Sequence, residues 1–145
     1  MDAYHAVNDI LVKLFNDIIH IEESSVITGE FKNITNNDMH VIEAIGIAEP
    51  KSMSMIAKAL SVTVGTLTIA VNNLVKKGYV IRNRSEFDRR VVLVSLSEKG
   101  KRAYDHHRQF HEEMIEAILE NLDEEEKQVL VKALNRLGDF FRSRK

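Results

Sequence analysis

Four arginines, Arg82, Arg84, Arg89 and Arg90, crowd a stretch of nine residues. Guanidinium groups bind phosphate through paired hydrogen bonds, and like charges this close repel one another unless an anion meets them. Asp88 lies inside the cluster, where a carboxylate pairs with Arg89 or Arg90 and holds that guanidinium in position. These residue types therefore predict a surface for a polyanion, with an arginine suited to a narrow minor groove of duplex DNA.

The arginine cluster is part of a basic central segment, residues 51–102. This segment contains eleven Lys and Arg against three acids, a net charge of +8, whereas the rest of the chain contains nine bases and nineteen acids. The formal net charge of the whole chain is only -2. A basic middle between acidic ends predicts that the middle meets nucleic acid and that the ends do not.

The composition excludes several other kinds of chemistry. The chain has no Cys, which excludes disulfides, thiolate zinc sites and cysteine nucleophiles. Its six glycines form neither a P-loop nor a Gly-x-Gly-x-x-Gly motif, and no spacing of Ser and His suggests a triad, so no enzyme activity is expected. No apolar run is long enough to span a bilayer, and the first residues do not resemble a signal peptide, so a cytoplasmic protein that binds no membrane is expected.

Four helices are predicted upstream of the arginines. A long helix over residues 4–27 is apolar on more than one face and so needs more than one partner surface. A second helix covers 35–48, a short third helix begins after Ser52, and a fourth runs from Thr63 to Gly78. The last two, joined by a tight turn, form a helix-turn-helix. The residues expected to be buried in helices two to four are Met39, Ile42, Ile45, Gly46, Ile56, Ala57, Leu60, Leu67, Val71 and Leu74.

The period of the apolar residues changes from 3.6 to 2 after the fourth helix. Residues 79–84 and 90–95 are two β-prone runs joined by a polar hairpin tip at 85–89, whereas 49–51 is predicted to be a turn. Ser97 then caps a helix that extends to about residue 121. A final helix begins with acidic residues and has an inner face formed by Leu130, Leu134, Leu137 and Phe141.

The predicted fold is mainly α and belongs to the α+β class, because the helices are accompanied by a small hairpin. It is a winged helix-turn-helix with N- and C-terminal helical dimerisation regions. Residues 35–97 form the DNA-binding core, and residues 1–30 and 98–145 form the dimerisation helices of a single 1–145 domain.

The fourth helix presents small or uncharged residues on the face opposite its apolar stripe. A helix-turn-helix places the N-terminal residues of its second helix against base edges in the major groove, and residues one and two turns on contact phosphate or bases. With the hairpin arginines, the candidate DNA-binding residues are Val64, Gly65, Thr66, Thr68, Asn72, Arg82, Arg84, Asp88, Arg89 and Arg90. The alternative is a winged-helix adaptor that binds protein, in which these polar residues only solubilise a packed helix.

Two segments carry a family resemblance. Residues 88–100, Asp-Arg-Arg-Val-Val-Leu-Val-Ser-Leu-Ser-Glu-Lys-Gly, resemble the wing signature of the MarR family of bacterial regulators. Residues 73–80, Asn-Leu-Val-Lys-Lys-Gly-Tyr-Val, resemble the end of that family's recognition helix. The predicted helix order agrees along essentially the whole chain. The resemblance implies a two-fold dimer, joined through its first and last helices, that binds a palindromic operator.

A more specific resemblance is to the fatty-acid synthesis repressors of Gram-positive bacteria within that family. It is carried by short segments scattered along the chain: 21–23, 31–32, 39–40, 62–63, 65–66, 72–74, 77–79, 84–86, 88–92 and 110–111. This resemblance implies repression of fatty-acid synthesis genes, with long-chain acyl-carrier protein as corepressor. No cofactor is expected.

The alternative function within the same family is that of a zinc-responsive repressor. His107 and His111 share a helix face because they are four residues apart. His40 and Glu22 resemble the two further ligands of those repressors, so the four side chains are candidates for a zinc site. The alternative is that these polar groups tie helices together through hydrogen bonds.

Overall fold

The computed structural model describes residues 2–26 and 31–144, with only the backbone for 22–26. Within these ranges the chain forms six helices and three strands. They are α1 (Ala3–Val26), α2 (Asn36–Ile45), β1 (Lys51–Ser52), α3 (Met53–Leu60), α4 (Val64–Lys77), β2 (Val80–Arg84), β3 (Val92–Leu96), α5 (Glu98–Leu119) and α6 (Glu124–Arg142). The chain divides into two compact units, 1–108 and 109–145. The mainly helical winged helix-turn-helix predicted from the sequence is therefore confirmed, while the predicted domain boundaries stay a prediction.

The core of the first unit lies between α2, α3, α4 and the sheet. Eight of the ten residues expected to be buried in helices two to four are exposed by 3% or less: Met39, Ile42, Ile45, Ile56, Ala57, Leu67, Val71 and Leu74. Gly46 and Leu60 are only half-buried, because each lies at or beside the end of its helix. The apolar stripe of α4 thus holds one face of that helix against the core and leaves the other face outside.

The helix starts follow the capping residues. Thr35 caps α2 in a reciprocal arrangement in which its hydroxyl accepts from the Asp38 amide and the Asp38 carboxylate accepts from the Thr35 amide. Ser52 and Thr63 cap α3 and α4 as predicted. Asp38 also accepts from Lys77 Nζ at 2.7 Å, which joins the start of α2 to the last turn of α4. The ion pair is partly buried, so removing either partner alone would leave an uncompensated charge between the two helices.

The sheet differs from the predicted hairpin in two respects. It has three antiparallel strands in the order β1-β3-β2, and β1 begins at Lys51, which was expected to belong to a turn. The prediction was wrong because a two-residue strand exists only through its pairing with β3. The last strand also begins at Val92 rather than at residue 90, because the Asp88 carbonyl accepts from the Val91 amide in a turn that precedes β3.

A tight junction joins the base of the wing to α5. Gly78 ends α4 with a φ of +89°, in the left-handed region that favours glycine. Its carbonyl accepts from the Ser97 hydroxyl at 2.6 Å, and the same hydroxyl accepts from the Gly100 amide at 3.1 Å. Tyr79 is fully buried here, and its hydroxyl donates to Asn33 Oδ1 at 2.7 Å. The start of α5 is therefore held directly against the β2 end of the wing.

The two predicted outer helices leave their apolar residues largely uncovered. None of the α1 side chains that the structure describes is buried: Val7, Leu14 and Ile21 are exposed, while Leu11 and Ile18 are half-buried. On α6, Leu130 and Leu137 are half-buried, but Leu134 and Phe141 are 56% and 53% exposed. The inner face predicted for the last helix is thus not covered within its own unit. Exposed apolar surface of this extent is typical of an interaction site.

Among the described residues, no single helix is apolar over a length that could cross a membrane. The helix-turn-helix pair, α3 and α4, meets that length and composition only when both helices are taken together across a bend of 106°.

Candidate nucleic-acid interface

The outer face of α4 is the first part of the candidate interface. Val64, Gly65 and Thr66 are exposed in its first turn, while Thr68 and Asn72 are half-buried further along. This is the arrangement in which the N-terminal end of a recognition helix reaches base edges. The buried stripe on the opposite side fixes which residues point outward.

Two threonine hydroxyls of α4 already have partners in the chain. Thr68 Oγ1 donates to the Val64 carbonyl at 2.8 Å, which leaves the lone pairs of that hydroxyl and its methyl group for an outside partner. Thr66 Oγ1 accepts from the Thr63 hydroxyl at 3.0 Å, and so its own hydrogen remains available to donate. Both hydroxyls are therefore oriented by the helix before any ligand arrives.

Asn72 connects α4 to the wing. Its side-chain oxygen accepts a hydrogen bond from the Arg82 guanidinium, which projects from β2. Sequence reasoning placed both residues in the interface but did not pair them, because they come from different elements. The pair joins the outer face of the recognition helix to the first strand of the wing.

The wing tip holds Arg90 in a defined position. Asp88 accepts from Arg90 Nε at 3.0 Å and from a terminal guanidinium nitrogen at 3.1 Å, so the pair is bidentate. The predicted role of Asp88 as the partner of a wing arginine is confirmed at Arg90. The side-chain and backbone hydrogen bonds from Arg90 lower the pKa of the Asp88 carboxyl, and Asp88 in turn raises the pKa of Arg90. The pair is therefore charged at neutral pH and is lost only as the pH falls through the lowered carboxyl pKa.

The other two arginines surround the loop between the strands. Arg84 donates to the Arg89 carbonyl at 2.8 Å, and this hydrogen bond joins the two sides of the hairpin tip. Arg82, Arg84 and Arg89, together with Phe87, contribute to the wall of an open cleft of about 720 Å³ on the wing. All four predicted arginines are thus exposed on one short hairpin.

Phe87 is a feature of the tip that sequence reasoning missed. Its side chain is fully exposed, while its amide donates to the buried Ser85 hydroxyl at 3.2 Å. An aromatic residue in an otherwise polar turn was the available signal.

Of the four residues predicted as zinc ligands, only His40 and His107 have side chains described in the first unit. His107 is 2% exposed, and its Nε2 donates to Glu43 Oε1 at 2.7 Å, which joins α5 to α2. Sequence reasoning did not identify Glu43. His40 is exposed on α2, His111 belongs to the second unit, and the Glu22 side chain lies outside the described residues. The contact of His107 is the interhelical hydrogen bond that the alternative to zinc binding predicts.

Comparison with known proteins agrees with this geometry. Residues 32–91 match the MarR family model. The chain is 41% identical to Streptococcus pneumoniae FabT in a crystal structure with DNA, with a TM-score of 0.87 over 98% of this chain and 99% of that one. A MarR-like transcriptional regulator from Thermotoga maritima is 26% identical, with a TM-score of 0.69 and 98% of each chain covered.

A curated relative matches the central part of the chain. The HTH-type transcriptional repressor YetL of Bacillus subtilis is 33% identical over 90 residues, which are 62% of this chain and 52% of that repressor. The match thus spans about half the length of this relative. Together with the helix-turn-helix, the basic wing and the family match, these similarities establish that the chain belongs to the MarR family of DNA-binding transcriptional regulators.

Proposed function

We propose that the protein is a dimeric repressor that binds a palindromic operator. In this proposal α4 enters the major groove of each half-site, with Val64, Gly65 and Thr66 against base edges. Thr68 contacts a phosphate or a base edge one turn further on. The net charge of +8 over residues 51–102, which include α4 and the wing, and the DNA-bound state of the similar FabT structure support this placement.

In the same proposal the wing reads the flanking minor groove. Asp88 presents Arg90 with its guanidinium already oriented, which reduces the entropy lost when that side chain enters a groove. Arg84 and Arg89 neutralise phosphates beside it. Asn72 acts mainly by holding Arg82, since its oxygen is already an acceptor for that arginine.

The dimer in this proposal uses residues 1–30 and 98–145, and the DNA-binding core comprises 35–97. The uncovered apolar residues of α1 and α6 support a second copy as their partner. Two recognition helices must lie about 34 Å apart to enter successive major grooves on one side of a duplex. A ligand that changes this separation alters operator affinity by changing the population of the matching spacing.

The proposed targets are fatty-acid synthesis genes, with long-chain acyl-carrier protein as the corepressor. The observation that carries this proposal is the 41% identity to FabT over nearly the full length of both chains. The protein then acts in the cytoplasm, by binding rather than by catalysis, and without a cofactor.

A gel shift on a fatty-acid synthesis promoter fragment tests this function. We expect a discrete complex whose affinity increases when long-chain acyl-carrier protein is added, and no such increase with the unacylated carrier protein. A fragment with the palindrome scrambled is the DNA control. Binding that is equal on both fragments contradicts the operator proposal and favours the adaptor alternative. A specific complex that ignores the acylated carrier contradicts only the corepressor.

Arg90→Ala tests the wing. We expect this variant to bind the operator more weakly. We also expect the binding constant to depend less steeply on salt: the slope of its logarithm against the logarithm of the salt concentration should be smaller by about one unit for each arginine removed. The reason is that each cation that neutralises a phosphate releases about one counterion. Lys132→Ala removes an exposed cation from the side of α6 opposite Leu130 and Leu134, and it is the control, with no change expected. An unchanged slope at full affinity for Arg90→Ala would remove the wing from the proposed mechanism.

A further inference from the structure

The exposed face of α4 is centred on an isoleucine, and we propose that Ile69 reads the C5-methyl group of a thymine in the major groove. Ile69 thus becomes a specificity-determining residue, one that lies outside the candidate set predicted from the sequence. This inference rests on the proposed placement of α4 in the operator.

The position of Ile69 follows from the helix geometry. At about 100° per residue, Ile69 lies about 160° from both Leu67 and Val71, the residues that face the core. Its side chain is 67% exposed, more than any other large apolar side chain of α4 that the structure describes. Ile69 is therefore the apolar residue that projects furthest from the core on the face offered to DNA.

The surroundings of Ile69 leave its side chain uncovered. Gly65, one turn earlier on the same face, contributes no side chain. A Cβ built at Gly65 would meet only Thr63 Oγ1, at 3.9 Å, so the packing of the free chain does not require glycine there. Glycine within a helix costs stability relative to alanine, and its use where packing does not require it is explained by close approach of the backbone to a ligand. Gly65 thus brings this face, with Ile69 next along it, close to the floor of the groove.

The chemistry of the groove selects the partner of Ile69. The side chain has no donor or acceptor, and covering the polar edge of a guanine, cytosine or adenine with it would leave base atoms without hydrogen bonds. The thymine methyl is the one apolar group that an unmodified base presents in the major groove. Contact between the two buries apolar surface on both sides and leaves no polar atom unsatisfied.

Thymine-to-deoxyuridine substitution tests the contact, because it removes only the methyl group. The duplex is one that the full-length wild-type chain selects from a randomised library, and each thymine is replaced in turn. We expect one symmetric pair of thymines whose replacement weakens binding about fourfold per half-site and about fifteenfold when both are replaced, as about 0.8 kcal/mol per buried methyl implies.

The same replacements are then made with variants of the chain. With Ile69→Ala the cost at that thymine pair is expected to disappear, while the cost at every other thymine remains. Ile47→Ala removes the same atoms from a side chain that is also about half exposed, but outside α4, and is expected to keep the whole wild-type profile. Ile69→Val, which keeps a branched side chain, is expected to retain part of the cost, and thermal unfolding checks that each variant is folded.

The two possible failures are distinct. If the library yields no preferred sequence, the operator proposal itself is overturned. If an operator is selected but Ile69→Ala loses the same affinity on every deoxyuridine duplex as wild type does, Ile69 does not read a thymine methyl and only this inference is overturned.

Discussion

Gly100→Ala is expected to lower the free energy of unfolding by about 3 kcal/mol, the upper part of the range for overpacked sites. A Cβ at Gly100 would lie 2.1 Å from the Tyr79 carbonyl oxygen and 3.1 Å from its carbon. These are backbone atoms, and the same oxygen accepts from the Ser97 amide at 2.9 Å, so neither side can yield without opening the wing–α5 junction. Chemical denaturation followed by circular dichroism measures the loss.

Gly65→Ala is the matched control, since it makes the same substitution within a helix where there is space. It is expected to stabilise the chain by about 0.5–1 kcal/mol through helix propensity, because the added methyl meets only Thr63 Oγ1 at 3.9 Å. We also expect it to weaken operator binding, since the methyl lies on the face proposed to approach the groove. Equal losses of stability in the two variants would contradict the packing argument for Gly100.

Leu134→Glu is expected to separate the dimer and to weaken operator binding by at least about 100-fold, because two linked half-site contacts become one. Leu134 is 56% exposed on α6, so the substitution removes little packing within its own unit. A charge buried at an interface between two copies, in contrast, is strongly unfavourable. Analytical ultracentrifugation at working concentration measures the association, and a gel shift measures the binding.

Lys132→Glu is the control for this variant, since Lys132 is an exposed charged residue on the same helix. It is expected to leave both association and operator binding close to wild type. A Leu134→Glu variant that sediments as a full dimer with unchanged affinity would show that α6 does not form the interface.

Local features of the chain were predicted well. The caps Ser52 and Thr63 and the stop at Gly78 all lie where the sequence indicates, because capping depends on side chains within three or four residues of the backbone groups they satisfy. The buried stripe of α4 followed from its period in the same way. The basic wing was also predicted, as was the pairing of Asp88 with either Arg89 or Arg90, and the structure shows that the partner is Arg90.

Contacts between distant elements could not be predicted in this way. Lys51 pairs with Val94, and the Asn72–Arg82 and Glu43–His107 contacts each join two elements whose relative placement no local pattern specifies. The apolar residues of α6 predict that one face of this helix packs against another surface. Their exposure shows that this surface does not belong to the same unit.

The amino-acid sequence by itself determined the presence and order of the helices, the caps that begin α3 and α4, the change to a β-hairpin and the location of positive charge, because each depends on neighbouring side chains. Only the tertiary structure decided which charged side chains form hydrogen bonds with residues of other elements. The hydrogen bond from Arg82 to Asn72, for example, requires packing that brings α4 and β2 together. It also decided how far Ile69 is exposed, at 67%, because the exposed fraction of a side chain depends on everything packed around it.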